Sequence, residues 1–118
     1  MIIPTEEQEH LALMEWAQTN KICRKYLIHI PNGGSRHKAE AAKLKRMGVR
    51  AGVSDFFLPY PNDTYAGLWL ELKRRKKSRI SEEQLHWLYL MQKCGYAAKI
   101  AYGWEHGKEI IKEYLECQ

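Results

Sequence analysis

Residues 68–75 read LWLELKRR, an apolar run that carries two opposite charges immediately before a series of cations. In an extended strand, successive side chains point to opposite faces of the sheet. The three leucines therefore share one face, and that face has the composition of a protein core. Trp69, Glu71 and Lys73 share the other face. The segment predicts a strand with one apolar face and one face on which a carboxylate lies beside an ammonium group.

Hydrophobic spacing and turn residues divide the rest of the chain into helices and further strands. TEEQ at residues 5–8 and SEEQ at residues 81–84 are capping-box patterns, typical of helix starts. Asn62-Asp63, between two apolar runs, predicts a hairpin. The predicted elements are helix 6–20, strand 24–30, short helix 38–47, strand 52–58, strand 65–74, helix 81–94, strand 96–102 and helix 104–115. This order, α-β-(short α)-β-β-α-β-α, predicts an α/β fold with a sheet flanked by helices.

The length and composition predict one ordinary globular domain. The 118 residues suit a single domain that spans residues 1–118. No apolar run approaches the ~20 residues that cross a bilayer, and the N-terminal MIIPTEEQ lacks the pattern of a signal peptide. We therefore expect a cytoplasmic protein with no membrane partner. Cys23, Cys94 and Cys117 form no CxxC pair, which argues against a zinc site or a disulfide framework.

Positive charge is concentrated in two parts of the chain, which has a net charge of +5 and a pI near 9.1. Clusters of this kind neutralise phosphates and release counterions, so they favour salt-sensitive binding to nucleic acid. A solvated surface is the alternative interpretation of an isolated charge run. The residues that we expect to contact DNA are Arg36, Lys38, Lys43, Lys45, Arg46, Arg74, Arg75, Lys76, Lys77 and Arg79.

Two carboxylates and a lysine form the pattern that carries chemistry. Asp55 lies in the apolar segment GVSDFF, and the predicted hairpin places it beside Glu71 on one face of the sheet. Two carboxylates in a partly dry site repel each other. A divalent cation removes that repulsion, and carboxylates with a main-chain carbonyl suit Mg²⁺ or Mn²⁺. Lys73 returns to the same face, where it can orient or deprotonate water or neutralise charge on phosphorus.

Asp55 followed by Glu71-Leu72-Lys73 resembles the D…ExK signature of the PD-(D/E)xK nuclease superfamily. Within it, GVSDFF, LELK, the SEEQLHW segment of residues 81–87 and Gly95 are similar to the VRR-NUC (virus-type replication-repair nuclease) family. The resemblance extends over nearly the whole chain. It implies a restriction-endonuclease-like mixed sheet flanked by helices, and the activity of a metal-dependent DNA nuclease.

The resemblance also implies a role for each residue of the pattern. Asp55 and Glu71 would be metal ligands, and the main-chain carbonyl of Leu72 would be a third ligand. Lys73 would be the catalytic lysine. If the charges of this strand were only a solvated stripe on an edge strand, they would instead discourage strand addition.

Two helices are implied to contribute further side chains. An acid on the first helix usually joins the site in this family, and Glu6 and Glu7 both match that position. Acids also favour the first turn of any helix through its dipole. Gln84 is implied to form a hydrogen bond within the site, although it is also the third helical residue of a capping box. The sequence leaves the choice between Glu6 and Glu7 open.

Other features depart from the family pattern or carry no assignment. Ser54 stands where many relatives have proline, and His10 stands where a glutamine often follows the first-helix acid. The five histidines form no metal-ligand spacing, so we expect surface or partly buried side chains. The glycine-rich residues 32–36 have the composition of a phosphate-contacting loop, and equally that of a plain connection.

The leading hypothesis is a Mg²⁺- or Mn²⁺-dependent DNA nuclease in replication, recombination or repair. By resemblance to stand-alone, phage-type members, we expect a homodimer in a bacterial or phage-infected cell that acts on branched DNA such as four-way junctions. The alternative is a non-catalytic DNA-binding module or nuclease-like subunit of a larger DNA-processing assembly. RNA as the substrate is a third hypothesis.

Overall fold

The computed structural model describes residues 2–31, 37–75 and 78–116. Five helices and four strands are assigned within these ranges. They follow the order α1 (Glu6–Ala17), α2 (Lys21–Tyr26), β1 (Ile28–His29), α3 (Lys38–Arg46), β2 (Phe56–Leu58), β3 (Leu68–Lys73), α4 (Glu82–Lys93), β4 (Ala97–Tyr102) and α5 (Trp104–Glu116). Within the described ranges, no helix has the length and apolar character needed to cross a bilayer.

The strands form one mixed sheet in the order β1-β2-β3-β4. β1 pairs antiparallel with β2, and β2 pairs antiparallel with β3. β3 and β4 run parallel, because α4 carries the chain back to the same end of the sheet. The sequence therefore predicted the fold class correctly: an α/β protein with a mixed sheet flanked by helices.

The hairpin between β2 and β3 is confirmed, and Asn62 shapes its connection. Oδ1 of Asn62 accepts hydrogen bonds from the amides of Thr64 and Tyr65 at 2.9 and 2.7 Å. Its Nδ2 donates to the carbonyl of Tyr114 at 2.9 Å, which ties the hairpin to α5. The register pairs Phe56 with Leu70. Continuing this register by one residue brings Asp55, directly before β2, to the side of β3 where Glu71 lies.

The leucine face of β3 forms the core, as the alternation predicted. The three leucines of β3 are essentially inaccessible to solvent. They belong to one buried cluster with Leu13 of α1 and with Ile111 and Tyr114 of α5. Gly107 of α5 is also buried and approaches Leu70 and Leu13. The sheet therefore rests on α1 and α5, and burial of this apolar area stabilises their packing.

The second face of β3 is covered as well. Trp69 stacks on Phe57 with ring centroids 4.1 Å apart, and Trp87 of α4 meets Trp69 edge-on at 5.2 Å. Glu71 and Lys73 continue this face and are only 1% and 7% exposed. The alternative of a solvated stripe on an edge strand is therefore wrong, because β3 lies inside the sheet and α4 packs over this face.

The strand predicted over residues 24–30 is largely wrong. Its first three residues, 24–26, belong to α2, and only Ile28 and His29 pair in the sheet. The helix signal is Asn20, whose Oδ1 accepts hydrogen bonds from the amides of Ile22 and Cys23 at 3.1 and 2.9 Å. This N-cap also ends the first helix earlier than residue 20. The N-cap at Asn20 favours a helix here, although the apolar residues of RKYLIHI alternate as in a strand.

A buried carboxylate that the sequence did not single out joins three elements. Glu9 of α1 is fully buried. It accepts hydrogen bonds from Nε and Nη2 of Arg75 at 3.0 and 3.2 Å, and from the amide of Trp104 at 3.1 Å. Burial raises the pKa of Glu9, but the Arg75 hydrogen bond, the Trp104 amide and the Arg75 charge together hold it below its ordinary value. Glu9 thus joins α1 to the end of β3 and the start of α5.

Glu9→Gln is expected to destabilise the fold. The amide keeps nearly the same shape but loses the charge that strengthens two hydrogen bonds to Arg75. We expect the free energy of unfolding at pH 7 to fall by about 2 kcal/mol. Urea or thermal unfolding of the two proteins measures this difference.

Glu105→Gln is the matched control. Glu105 also lies 3.5 Å from Arg75, but its side chain is 65% exposed, so its removal should change stability little.

The contribution of Glu9 to stability should depend on pH. Because the pKa of Glu9 is lowered from 4.5, its contribution is present above that pH and is lost as the pH falls below it. A deficit in Glu9→Gln that stays constant from neutral to strongly acidic pH would contradict this account.

Candidate active site

The site begins at Asp55, which is anchored on both neighbouring strands. Its carbonyl accepts the amide of Ile30 at 2.7 Å. Its Oδ2 accepts the amide of Leu72 at 2.8 Å. The loop before it needs Gly52, which has φ +87°, and a Cβ there would lie 2.4 Å from the backbone of Glu83. Asp55 is therefore held where β2 and β3 diverge, with its loop pressed against the first turn of α4.

Glu71 lies on the same face as Asp55 and is buried. Its Oε2 accepts a hydrogen bond from Nε2 of Gln84 at 3.0 Å. No donor in the described part of the chain reaches its buried Oε1. Burial, then the charge and hydrogen bond of Asp55, raise the pKa of Glu71 to about 9, while Lys73 opposes this shift and Glu6 adds to it. In the absence of a cation, ionisation of this carboxyl is therefore disfavoured.

Gln84 performs two functions with one side chain. Its Oε1 accepts the amide of Ser81 at 2.9 Å, while its own amide donates to Oγ of Ser81 at 3.1 Å. This reciprocal pair is the capping box that the sequence predicted. Nε2 remains free to donate to Glu71, and capping and contact with the site thus coexist. The capped end of α4 fixes where that donor lies.

Lys73 completes the buried face of β3. Its Nζ lies 3.9 Å from Oε2 of Glu71. The main chain continues the pairing with β4, since the carbonyl of Lys73 accepts the amide of Gly103 at 2.8 Å. An ammonium group in this position can orient water or offset negative charge on a phosphate.

The first helix contributes Glu6, and also a residue that the sequence did not predict at the site. Glu6, His10 and Asp55 each offer a ligand atom, and these atoms all lie within 4.8 Å of one another. Glu6 is partly buried, whereas Glu7 is exposed. The geometry thus favours Glu6 over Glu7 as the first-helix acid. The signal for His10 was its spacing, since residues four apart share a helix face.

The donor set fits a divalent cation. The carboxylates of Asp55 and Glu71 face one another, and a buried carboxylate oxygen without a donor is an oxygen that a cation would satisfy. The carbonyl of Leu72 lies 3.4 Å from Nε2 of His10, so it points toward the same cluster. Carboxylate and carbonyl oxygens are the ligands that Mg²⁺ and Mn²⁺ take in proteins.

The basic residues fall into three groups. The helix α3 exposes its cations Lys38, Lys43, Lys45 and Arg46, and Arg79 is exposed as well. Arg74 instead donates to the carbonyls of Pro4 and Ile3 at 3.0 and 3.4 Å, and Arg75 is paired with Glu9. These two cations hold the N-terminal segment and α1. The predictions for Arg36, Lys76 and Lys77, and for the loop of residues 32–36, lie outside the described residues.

The fold is that of the restriction-endonuclease-like class of α/β proteins. A family model described as the VRR-NUC domain matches residues 4–105, and the chain belongs to the VRR-NUC domain family. A solved structure titled "VRR_NUC domain protein" superposes with a TM-score of 0.87 at 29% identity, covering 99% of this chain and 93% of that chain. A comparison with curated proteins gave no match.

Membership confirms the family predicted from the sequence. It suggests a nuclease of the PD-(D/E)xK type, a group that generally uses divalent metals and for which DNA is the implied substrate. The roles of the individual site residues remain predictions.

Glu71→Gln is expected to stabilise the metal-free protein at pH 8. The wild type must take up a proton at Glu71 when this side chain is buried beside Asp55, whereas the neutral amide needs none. Unfolded Glu71 ionises near 4.5, whereas in the fold its pKa is about 9. Folding therefore takes up a proton between these values, and the stability of the wild type falls as the pH rises through this window. Thermal unfolding in chelator at pH 5 and pH 8 measures the advantage, which should be larger at pH 8.

Glu109→Gln, at an exposed position of α5, controls for the loss of a carboxylate elsewhere. It should leave the difference between the two pH values unchanged. The opposite result would be a Glu71→Gln protein that is less stable than the wild type at pH 8 in chelator. It would show that burial of the Glu71 carboxyl does not lower the stability of the wild type.

Proposed function

We propose that this protein is a divalent-metal-dependent nuclease that hydrolyses phosphodiester bonds in branched DNA. The observation that supports this most is the convergence of Asp55, Glu71 and Lys73 on one buried face, with Gln84 holding Glu71. A structural strand gains nothing from this arrangement, because burial and mutual repulsion raise the pKa of Glu71. A bound cation would stabilise the two carboxylates, and a bound phosphate would stabilise the lysine.

Asp55, Glu71 and the carbonyl of Leu72 would hold Mg²⁺ or Mn²⁺, with Glu6 nearby. The ion would supply Lewis acidity to the phosphate and its attacking water. Lys73 would orient that water, and its ammonium would offset charge that builds on the phosphate oxygens. In the reaction, the water oxygen would form a bond to phosphorus and the bond to the leaving sugar oxygen would break. The water would release a proton to solvent, and the leaving oxygen would take one up from solvent. Gln84 keeps Glu71 in place through its fixed hydrogen bond.

The exposed cations of α3 would hold the DNA backbone. The helix has no buried residue, and its last turn carries Lys43, Lys45 and Arg46. Exposed Arg79 would also contact DNA. The predictions for Arg36, Lys76 and Lys77 concern residues outside the described ranges. Arg74 and Arg75 would serve mainly to position α1, since their guanidinium groups already have partners.

Residues 1–118 would act as one nuclease domain, and two copies would act as a homodimer. Two sites related by symmetry suit cleavage of paired strands at a four-way junction. A role in replication, recombination or repair follows from such a substrate.

Lys73→Met is expected to abolish cleavage while DNA binding persists. Loss of a positioned group that orients or deprotonates water lowers rates by roughly 10²–10⁴-fold. The assay uses labelled single-stranded, duplex, flap and four-way-junction DNA with Mg²⁺, Mn²⁺ or EDTA. We expect metal-dependent cutting by the wild type, with the junction preferred.

Lys99→Met is the matched control, because Lys99 lies on the adjacent strand β4 and is exposed. It should cleave like the wild type. Binding by the wild type without cleavage under any metal would overturn the nuclease proposal and favour a non-catalytic DNA-binding module. Preference for duplex over the junction would overturn the branched substrate alone.

Neutralising α3 is expected to weaken DNA binding without changing metal binding. The variant Lys43→Gln/Lys45→Gln/Arg46→Gln should bind less tightly, and its affinity should depend less on salt. For each phosphate that the protein no longer neutralises, the slope of log K against log salt should become shallower by about 0.9. Fluorescence anisotropy in chelator at several salt concentrations measures the slope.

Lys93→Gln/Lys99→Gln/Lys112→Gln removes the same charge from exposed positions on α4, β4 and α5. It separates a specific interaction with the DNA from the effect of net charge. Equal reductions in affinity in the two triple variants would contradict a DNA-binding role for α3.

A further inference from the structure

We propose that His10 is a ligand of the metal ion held at Asp55, and that its nitrogen makes the site select a first-row transition ion such as Mn²⁺ over Mg²⁺. This inference rests on the proposed function, since it assumes a cation at Asp55. It goes further in two ways. It assigns a metal-ligand role to a residue outside the D…ExK pattern, and it gives a chemical reason for the choice of ion.

The geometry places the imidazole among the oxygen donors. Nε2 of His10 lies 3.7 Å from Oδ2 of Asp55 and 3.4 Å from the carbonyl oxygen of Leu72. One ligand atom from each of Glu6, His10 and Asp55 lies within 4.8 Å of the other two. Ligand atoms at ~2.1 Å from one six-coordinate ion are about 3–4 Å apart. The observed separations therefore suit donors that share an ion.

The ring of His10 is held so that Nε2 faces this cluster. It packs at 5.2 Å from the ring of Phe56 and edge-on to His29 at 5.3 Å. The His10 side chain is only 18% exposed. A preorganised ligand loses little conformational freedom when an ion binds.

An independent observation points to a cation at the same place. Glu71 is 1% exposed, and no donor in the described ranges reaches its Oε1. The pairing of Phe56 with Leu70 places Glu71 across the β2–β3 hairpin from Asp55, on the same face of the sheet. A buried, unpartnered oxygen beside two further carboxylates and an imidazole is an arrangement that a divalent cation would stabilise.

The ligand type decides which ion is favoured. Mg²⁺ prefers oxygen donors and near-ideal octahedral geometry. An imidazole nitrogen is a borderline donor that binds first-row transition ions better. A glutamine in this position would offer an amide oxygen. The imidazole of His10 instead shifts the balance toward Mn²⁺.

The test compares wild type, His10→Gln and His86→Gln, without DNA. His86 is an exposed histidine of α4 and controls for the loss of any imidazole. Mn²⁺ binding is followed by electron paramagnetic resonance, with Mg²⁺ as the competitor. Electron spin-echo modulation of the bound Mn²⁺ reports a directly bonded nitrogen. Circular dichroism and thermal unfolding in chelator confirm that each variant is folded.

We expect nitrogen modulation in wild type and His86→Gln and none in His10→Gln. We also expect the ratio of Mg²⁺ to Mn²⁺ dissociation constants to fall at least tenfold in His10→Gln. Mn²⁺ that binds wild type without nitrogen modulation, or an unchanged ratio in a folded His10→Gln protein, would overturn the inference and leave the nuclease proposal intact. Asp55→Asn tests the site itself: if it retains Mn²⁺ affinity, both the inference and the proposed metal site fail.

Discussion

The buried carboxylate of Glu9 is the group on which the geometry of the site depends. It is fully buried and accepts hydrogen bonds from Arg75, directly after β3, and from the first amide of α5. A buried charge persists only when its partners are well placed, so α1 has little freedom to slide along the sheet. Glu6 and His10 lie on the same helix and take their positions from it. An anchor for the fold therefore also sets where two candidate ligands lie.

The second face of β3 shows a conflict between stability and function. Phe57, Trp69 and Trp87 cover it with a partly buried aromatic cluster, yet the same face ends in the buried Glu71 and Lys73. Burial that stabilises the aromatic part destabilises the ionised carboxylate, as its raised pKa shows. Functional sites often retain such local strain. A bound cation would convert the least favourable part of this face into a stabilising one.

The elements near the site were predictable where local signals and packing agree. The leucine alternation of β3, the two capping boxes and the Asn62 turn each specify one structure, and each is observed. The strand over residues 24–30 failed because alternation competes with an N-cap at Asn20. Glu9 was not found, because nothing local distinguishes a buried helical acid from its exposed neighbours. Its partners lie far along the chain, and long-range pairs leave no spacing pattern.

The first turns of α1 explain why residue spacing could suggest which side chains belong to the candidate site but could not identify all of them. Glu6 and His10 are four residues apart and share a face, while Glu9 lies on the side that meets Arg75 and Trp104. Periodicity places both Glu6 and Glu7 near His10, at spacings of four and three residues, and it does not say which face meets Asp55. That choice is made by the ion pair of Glu9, which turns its own side toward the end of β3. The Glu9 ion pair thus fixes the rotation of α1 about its axis, and that rotation determines which side chains of α1 lie at the candidate site.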